Sequence, residues 1–301
     1  MASPQAVKLK ESFRQLRDES LTKPQATLAE MRASAIGFGG LTGEASGVSC
    51  ALVDAGGVPA QWLTPEGAHS DRVLLYVHGG GYVLMSAETH RKMVSHIAKA
   101  IGCRALNVDY RLAPEHPHPA PVNDALTAYR YLLAQGIEPA HIAIAGDSAG
   151  GGLAIATALK IRDEGLPMPA ALAPISPWTD MEGNGESVKT RAAVDMIVSP
   201  QALSQLAGVF LGSESARDPY ASPLYADLHG LPPTYIQVGD DEVLLDDSLR
   251  FATKARVAGV DVTCEVFPEM QHVFQIAAGG MPEADQAVAK MGAWLKARLG
   301  L

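Results

Sequence analysis

Several features are scarce in this chain, and each absence excludes a class of protein. Lys and Arg total 24 against 33 Asp and Glu, a formal net charge of −9, which argues against the basic face that nucleic-acid-binding proteins carry. An acidic chain is also poorly suited to anionic lipid surfaces. No stretch reaches the roughly 18 successive apolar residues that a membrane-spanning helix needs. We therefore expect neither a nucleic-acid partner nor a membrane partner.

Cysteines are also few, and the three present, Cys50, Cys103 and Cys264, lie far apart. They form no Cys-x-x-Cys pair and no cluster with histidine, so we expect no metal site. His116 and His118 are close in sequence but have no third ligand nearby. Isolated thiols are typical of buried residues in a reducing compartment. The N-terminus is charged and lacks the apolar core of a signal peptide, so we expect a cytoplasmic protein.

Apolar residues, in contrast, are abundant, at 47% of the chain against 19% charged residues. From about residue 48, short β-type runs alternate with helical runs, and runs such as Val73–Val77 are continuously apolar. That pattern is typical of strands buried on both faces of a parallel sheet with helices on either side. The predicted strands are Val48–Val53, Pro59–Leu63, Val73–Val77, Arg104–Asp109, His141–Ala145, Ala171–Ile175, Thr234–Val238 and Val262–Phe267. The predicted helices in this part are residues 88–101, 121–135, 149–164, 245–258 and 283–298.

Two stretches interrupt the alternation. Residues 1–45 contain two predicted helices, 5–19 and 24–35, and residues 178–228 surround one helix near 200–211 with Pro, Gly and Asp. We interpret both stretches as parts of a lid over the sheet. The prediction is a single domain over all 301 residues, with a helical cap from about 1–45 and an insertion at about 178–228.

The strongest local motif is Gly146-Asp147-Ser148-Ala149-Gly150, which follows a predicted strand and precedes a predicted helix. A G-x-S-x-G sequence in this position is typical of the nucleophile elbow of the α/β-hydrolase fold. The tight turn requires small flanking residues and exposes the serine hydroxyl near a helix N-terminus, whose dipole is positive. Ser148 is therefore the candidate nucleophile.

A second motif, His78-Gly79-Gly80-Gly81-Tyr82, directly follows another predicted strand. Successive glycines let the backbone approach a substrate and direct its N–H groups at one point. A developing oxyanion needs such donors, and HGGG motifs supply them in lipases and esterases. The two motifs also occur in the order that this fold requires.

A serine hydroxyl needs a base, and in this fold the chain order is serine, acid, histidine. His229 and His272 are the histidines that follow Ser148, and His229 precedes the strand after which the acid is expected. His272 is therefore the candidate base. The acid is one of five carboxylates between Asp240 and Asp247, and the residues alone do not select among them.

The chain resembles the hormone-sensitive-lipase family of bacterial esterases and lipases, a family of α/β-hydrolases. The resemblance is carried by His78–Tyr82, Asp109–Glu115, Gly146–Gly151, Ser176-Pro177-Trp178 and the loops of Glu242 and His272. It implies a central, mostly parallel eight-stranded sheet covered by helices, with a helical cap. The family's acid motif resembles Asp-Pro-Leu-x-Asp; Leu244 and Asp246 align with it and put Glu242 at the catalytic position, where Asp is commoner. Asp241 and Asp246 remain the alternatives.

The resemblance also implies the remaining roles. The oxyanion donors would be the backbone N–H groups of Gly80, Gly81 and Ala149, while Asp147 and Glu115 would support neighbouring loops. The expected activity is hydrolysis of short- to medium-chain carboxylic esters, which are small-molecule substrates, through an acyl-enzyme and without a cofactor. A homodimer is expected, because family members are often dimers and Val262–Phe267 would form a sheet edge. The alternatives are an amidase or acyltransferase with the same triad, and a non-catalytic ligand-binding protein on this scaffold.

Overall fold

The computed structural model describes residues 1–22 and 26–301 of the chain. Its strands are β1 Val48–Asp54, β2 Pro59–Pro65, β3 His69–Val77, β4 Cys103–Val108, β5 Ile142–Asp147, β6 Ala171–Ile175, β7 Thr234–Gly239 and β8 Val262–Phe267. Its α-helices are α1 Pro4–Thr22, α2 Leu28–Ala35, α3 Ala87–Ile101, α4 Ala120–Ala134, α5 Ala149–Asp163, α6 Ser187–Thr190, α7 Pro200–Leu211, α8 Leu245–Val257 and α9 Pro282–Arg298. Short 3₁₀ segments span Ile36–Leu41, Pro139–His141, Pro223–Tyr225 and Phe274–Ala277.

The strands form one eight-stranded sheet in the order β1-β2-β4-β3-β5-β6-β7-β8. β1 pairs with β2, and β2 with β4, in antiparallel fashion; every other pair is parallel. The predicted mostly parallel eight-stranded sheet is confirmed. Because parallel strands have their carboxyl ends at the same edge, the loops that follow β3, β5, β6, β7 and β8 meet there.

The apolar run in β3 packs against helices on both faces of the sheet. Val73, Leu75 and Val77 are buried in one core cluster, which includes residues of α4 and α5. Leu74 and Tyr76 are buried in a second cluster, which includes residues of α3 and α9. Successive side chains of a strand point to opposite faces, so a strand covered on both sides is apolar throughout.

Helix α3 shows how local sequence sets a helix's ends and orientation. Ser86 and Thr89 form a reciprocal capping box at its N-terminus, and Gly102 ends it with φ at 83°, a value that glycine adopts without strain. Its buried apolar residues recur at helical spacing and so cover the sheet. They are Met93, Val94, Ile97, Ala98 and Ile101.

The structure corrects some details of the predicted elements. The helix expected at 24–35 begins at Leu28, because Thr27 is extended and caps it together with Glu30; residues 24 and 25 lie outside the described part of the chain. The insertion contains a short helix, α6, that was not predicted. Cys50 is exposed rather than buried, since it lies on β1 at an outer edge of the sheet.

Strand β8 is the other outer strand of the sheet. Val266 on this strand is exposed, so the strand has the position that a dimer contact would use. The homodimer stays a prediction, as does the cytoplasmic location. Across residues 1–22 and 26–301, no helix combines the length and apolarity that a membrane crossing requires.

Replacing Leu75 with alanine tests the packing of the central strand. Leu75 is fully buried in β3, so Leu75→Ala should lower the free energy of unfolding by about 2–5 kcal/mol. Leu52→Ala is the matched control, because Leu52 lies on β1 with 83% of its surface exposed, and it should change stability by less than about 0.5 kcal/mol. Urea unfolding measures both, and equal losses would contradict the assignment of the core.

Candidate active site

The turn from β5 into α5 places Ser148 in a strained backbone conformation. Its φ and ψ are 55° and −121°, a region that residues with a Cβ rarely adopt. The turn brings the backbone very close to the end of β3. A Cβ on Gly146 would lie 2.4 Å from the carbonyl oxygen of Val77, and one on Gly150 would lie 2.1 Å from the same atom. The two glycines of the motif are therefore steric requirements.

Backbone hydrogen bonds fix this turn against the end of β6. The N–H of Ser148 donates to the carbonyl of Ile175 over 2.8 Å, and the Ser148 carbonyl accepts from Trp178 at 2.9 Å and from Gly152 at 3.1 Å. Ala149 is the first residue of α5, and N–H groups in the first turn of a helix have no intrahelical acceptor. The turn thus presents free N–H groups beside the serine.

His272 and Glu242 are joined by a buried hydrogen bond. Nδ1 of His272 donates to Oε2 of Glu242 over 2.8 Å, and the two residues are 4% and 0% exposed. The other carboxylate oxygen, Oε1, accepts from Ser176 Oγ at 2.7 Å and from the N–H of Gly239 at 2.5 Å. A buried carboxylate is costly unless donors such as these satisfy its oxygens. Glu242 therefore orients the His272 ring and leaves Nε2 to accept a proton.

The five carboxylates of the loop after β7 differ in their partners. Glu242 is the one that contacts His272 in the described part of the chain. The others are bound elsewhere: Asp240 to Arg191, Asp241 to Lys10, Asp246 to the N–H of Ser187, and Asp247 to the N–H groups of Thr179 and Asp180. Burial raises the pKa of Asp247 to about 7, although the N–H of Thr179 opposes the shift.

Electrostatics at His272 favour the imidazolium. Burial lowers its pKa, but the charge and hydrogen bond of Glu242 and the charges of Asp195 and Asp147 outweigh burial, so the pKa lies above its usual 6.5. This is the environment that stabilises a histidine after it has taken a proton. The residues described contain no hydrogen bond between Ser148 Oγ and His272. The loops of Ser148 and His272 are instead connected through the end of β6. The carbonyl of Ile175 accepts from the N–H of Ser148, and Ser176 Oγ accepts from the N–H of Val273 at 3.4 Å.

The glycine loop after β3 lies beside the serine turn. Gly80 has a φ of 106° and Gly81 a φ of 64°, and a Cβ on Gly80 would lie 2.2 Å from the carbonyl oxygen of Leu84. Within the chain segments that the structure describes, the N–H groups of Gly80 and Gly81 donate to no protein acceptor. With Ala149 they form a set of backbone donors that an anionic oxygen can use.

A buried carboxylate holds this loop to the serine turn. Asp147 Oδ1 accepts from the N–H of Gly79 at 3.1 Å and from Tyr76 Oη at 2.8 Å, and Oδ2 lies 3.2 Å from Nε2 of His90. Burial opposes ionisation of both partners, yet their mutual attraction lowers the pKa of Asp147 and raises that of His90. The expected supporting role of Asp147 has this geometric basis.

Glu115, also expected to support a loop, lies at the surface. Its carboxylate accepts from both terminal nitrogens of Arg32 at 2.7 and 2.8 Å, and these bonds lower its pKa to about 2. Arg32 also donates to the carbonyls of Val83 and Ala113 at 2.9 Å. Through Arg32, α2 is fixed against the loop that follows the glycine run.

A cavity of 640 Å³ lies between α1 and the insertion. Phe13, Phe38, Met196, Ile197 and Val198 are among its lining residues. The apolar residues of the insertion differ in what they contact. Met196 and Ile197 line the cavity, whereas Leu206 lies against Gly81 and Val209 is exposed. The other three residues pack in the core: Leu203, Phe210 and Leu211. The Phe210 ring stacks on the Tyr82 ring with 3.7 Å between centroids. The Phe210–Tyr82 contact packs α7 against the glycine loop.

Sequence reasoning did not identify several residues of this site. His90 and Tyr76 are far from Asp147 in the chain, and no local pattern links them. Ser176 directly follows a strand at the carboxyl edge of the sheet, which was an available signal for a functional side chain. Asp195 lies in the irregular insertion, where no pattern singles it out. Among the described residues, no group of three His, Cys, Asp or Glu side chains could hold a metal ion.

Comparisons with known proteins give a consistent result. A family model described as the alpha/beta hydrolase fold matches residues 74–276. An acetyl-hydrolase of Streptomyces hygroscopicus is 43% identical over 249 residues, 83% of each chain, and an esterase of Acinetobacter venetianus is 39% identical over 223 residues, 74% of each chain. Among solved structures, an esterase from the bacterial hormone-sensitive lipase family is 45% identical, with a TM-score of 0.95 over 100% of both chains. An esterase/lipase from an uncultured bacterium is 42% identical, with a TM-score of 0.92 and the same coverage.

Removing the Cβ of Ser148 tests the strain at the turn. Ser148→Gly and Ser148→Ala both delete the hydroxyl, but only Ser148→Gly relieves the φ of 55°. Such strain is worth about 1–3 kcal/mol, and the extra entropy of an unfolded glycine offsets up to about 1 kcal/mol. Urea unfolding should therefore show Ser148→Gly to be more stable than Ser148→Ala. A glycine variant that is less stable than the alanine variant would mean that the turn is not strained.

Proposed function

The chain belongs to the hormone-sensitive-lipase-like family of the α/β-hydrolase fold and is a carboxylic-ester hydrolase, and from this premise we propose that Ser148, Glu242 and His272 are its catalytic triad. The observation that carries the proposal is the buried hydrogen bond between His272 Nδ1 and Glu242 Oε2. The bond lies in loops at the sheet edge where Ser148 is half-buried on its turn. The comparisons with known proteins confirm the resemblance to this family and the prediction of an enzyme.

The proposed reaction has two steps. Ser148 Oγ attacks the ester carbonyl while His272 Nε2 takes the hydroxyl proton, and His272 then protonates the leaving alkoxide. Water, deprotonated by His272, attacks the acyl-enzyme, and the acid is released with Ser148 regenerated. Glu242 stabilises the imidazolium in both steps without taking the proton.

Gly80, Gly81 and Ala149 are the proposed oxyanion hole. Their N–H groups would bind the negative oxygen of the tetrahedral intermediate. The free donors of the glycine loop support this role, and so does the bond from Gly79 to Asp147 that holds the loop beside the serine turn. One such donor is worth about 10²–10³ in rate.

The proposed substrates are esters of short- to medium-chain acids. A relative from Streptomyces hygroscopicus that is named an acetyl-hydrolase supports this choice. The 640 Å³ cavity does not bear on acyl-chain length, because neither Ser148 nor His272 is among its lining residues. We also propose that residues of about 1–45 and the insertion at about 178–228 form a cap on a single domain. The cavity supports this proposal because Phe13, Phe38 and Met196 come from both stretches.

Variants of the triad test the assignment directly. On p-nitrophenyl esters from acetate to octanoate, Ser148→Ala should lower kcat by about 10⁶, and Glu242→Gln by about 10⁴, because the histidine loses its orienting charge. Asp241→Asn is the matched control from the same loop; Asp241 contacts Lys10, and its loss should leave kcat near that of the parent.

The outcomes separate the candidate acids. A large loss in Glu242→Gln with a normal Asp241→Asn supports the proposed triad. The reverse result would transfer the acid role to Asp241. A fully active Ser148→Ala variant would exclude a mechanism in which Ser148 forms the acyl-enzyme.

The pH dependence of kcat/KM tests the environment of His272. His272 must be neutral to act as a base, and Glu242 holds its pKa above 6.5, so activity should fall as the pH drops through a value above 6.5. In Glu242→Gln the charge is lost and burial remains, so the residual activity should have its acid limb at a lower pH. An acid limb that does not move in this variant would contradict the assigned pair.

A further inference from the structure

A five-residue segment of the insertion, Val194–Val198, contacts both loops that carry the proposed acid and base. Gln271, the residue before His272, accepts from the N–H of Met196 at 2.7 Å through Oε1 and donates to the carbonyl of Val194 at 3.0 Å through Nε2. Val243, the residue after Glu242, donates its N–H to Asp195 Oδ2 over 2.9 Å. One segment outside the sheet is thus bonded next to each of these two residues.

Asp195 has an unusual position within this segment. It is 2% exposed, and a carboxylate at such burial needs compensating donors. Besides Val243, its donors are the N–H groups of Ile197 and Val198, which bond to Oδ1 at 2.9 and 2.8 Å. All three donors are backbone groups, so the carboxylate fixes the path of the main chain in two separate loops.

The same segment forms a wall of the 640 Å³ cavity. Asp195, Met196, Ile197 and Val198 all line it, together with Phe13 of α1. One oxygen of Asp195 therefore binds the cavity wall, and the other binds the loop of the proposed catalytic acid. A shift of the wall would move the N–H of Val243 and, with it, the neighbouring Glu242.

We propose that Asp195 is a positioning residue, whose carboxylate holds the Glu242 loop against the cavity wall so that Glu242 meets His272 at hydrogen-bonding distance. The proposal rests on the proposed triad of Ser148, Glu242 and His272. Asp195 touches none of the reacting atoms and acts through the backbone of Val243.

Two ion pairs on the same loop provide a contrast. Asp240 contacts Arg191 at 2.8 Å and Asp241 contacts Lys10 at 2.6 Å. Each pair is partly exposed to solvent, where ion pairs contribute little. A buried carboxylate with three N–H donors is different, because its removal leaves those donors without partners.

The test compares Asp195→Ala and Asp195→Asn with Asp240→Asn as the matched control. Asp195→Ala should lower kcat by about 10², the effect of a small misplacement of catalytic groups, with little change in KM. Asp195→Asn keeps one oxygen acceptor and should lose less. Asp240→Asn should match the parent. Rates are expressed per reactive serine, titrated with a p-nitrophenyl phosphonate, so that an unfolded fraction does not count as lost activity.

The pH profile gives a readout that a purely structural role would not change. The charged groups that face His272 are Glu242, Asp195 and Asp147, and all three raise its pKa against the effect of burial. Removal of the Asp195 charge should move the acid limb of kcat/KM to lower pH in both variants. If Asp195→Ala does not fold, Asp195→Asn can take its place in the experiment, because that variant also loses the charge and one of the two acceptor oxygens.

The outcomes separate this proposal from the proposed triad. A reduced kcat per titrated serine with a shifted acid limb supports the positioning role. An unchanged kcat per titrated serine in Asp195→Ala would overturn it while the triad stands, even if the acid limb moves, because loss of the Asp195 charge alone shifts that limb. If Glu242→Gln is fully active, the assigned acid is wrong, and the positioning role of Asp195 fails with it.

Discussion

The close approach of β5 and its following turn to the end of β3 is the constraint on which the site depends. Gly146 and Gly150 are so near the carbonyl of Val77 that neither position has space for a Cβ. This contact brings the serine turn and the glycine loop together, because one loop follows each strand. It also forces Ser148 into a backbone conformation with positive φ. The strain is maintained by the parallel strands on either side, because Val73–Val77 of β3 and Ala171–Ile175 of β6 are buried and pair with β5.

Buried carboxylates organise the rest of the site. Asp147, Glu242 and Asp195 are each nearly inaccessible to solvent. Asp147 and Asp195 accept backbone N–H groups from another loop, whereas Glu242 accepts from the side chains of Ser176 and His272. None relies on a lysine or arginine within the described residues. Each carboxylate therefore sets the relative position of two loops. Removing such a group leaves its donors unpaired in a low-dielectric interior, where hydrogen bonds are both stronger and more costly to lose.

The local motifs could be interpreted without a structure, whereas the hydrogen bonds between distant loops could not be predicted from the sequence. Ser148 was identifiable because its neighbours are glycines between a strand and a helix, a pattern that few other roles require. The choice among the five carboxylates after β7 depended on the resemblance to a family motif, since all five lie within residues 240–247. In the structure Glu242 is distinguished by its bond to His272 and by Ser176, which lies 66 positions away in the chain. The interaction of His90 with Asp147 likewise joins positions 57 residues apart.

The sequence by itself determined the elements of this protein. Continuous apolar runs gave the buried strands, helical spacing gave the covering helices, and glycine placement gave the two turns at the sheet edge, since each follows from forces that act over a few residues. The tertiary structure decided which polar groups meet. Glu242, Asp195 and Asp147 acquire their partners from loops that are brought together only when β3, β5, β6 and β7 lie side by side. The spacing of apolar residues indicates which side of one helix or strand is buried. A hydrogen bond between loops, in contrast, depends on the distances between several elements at once.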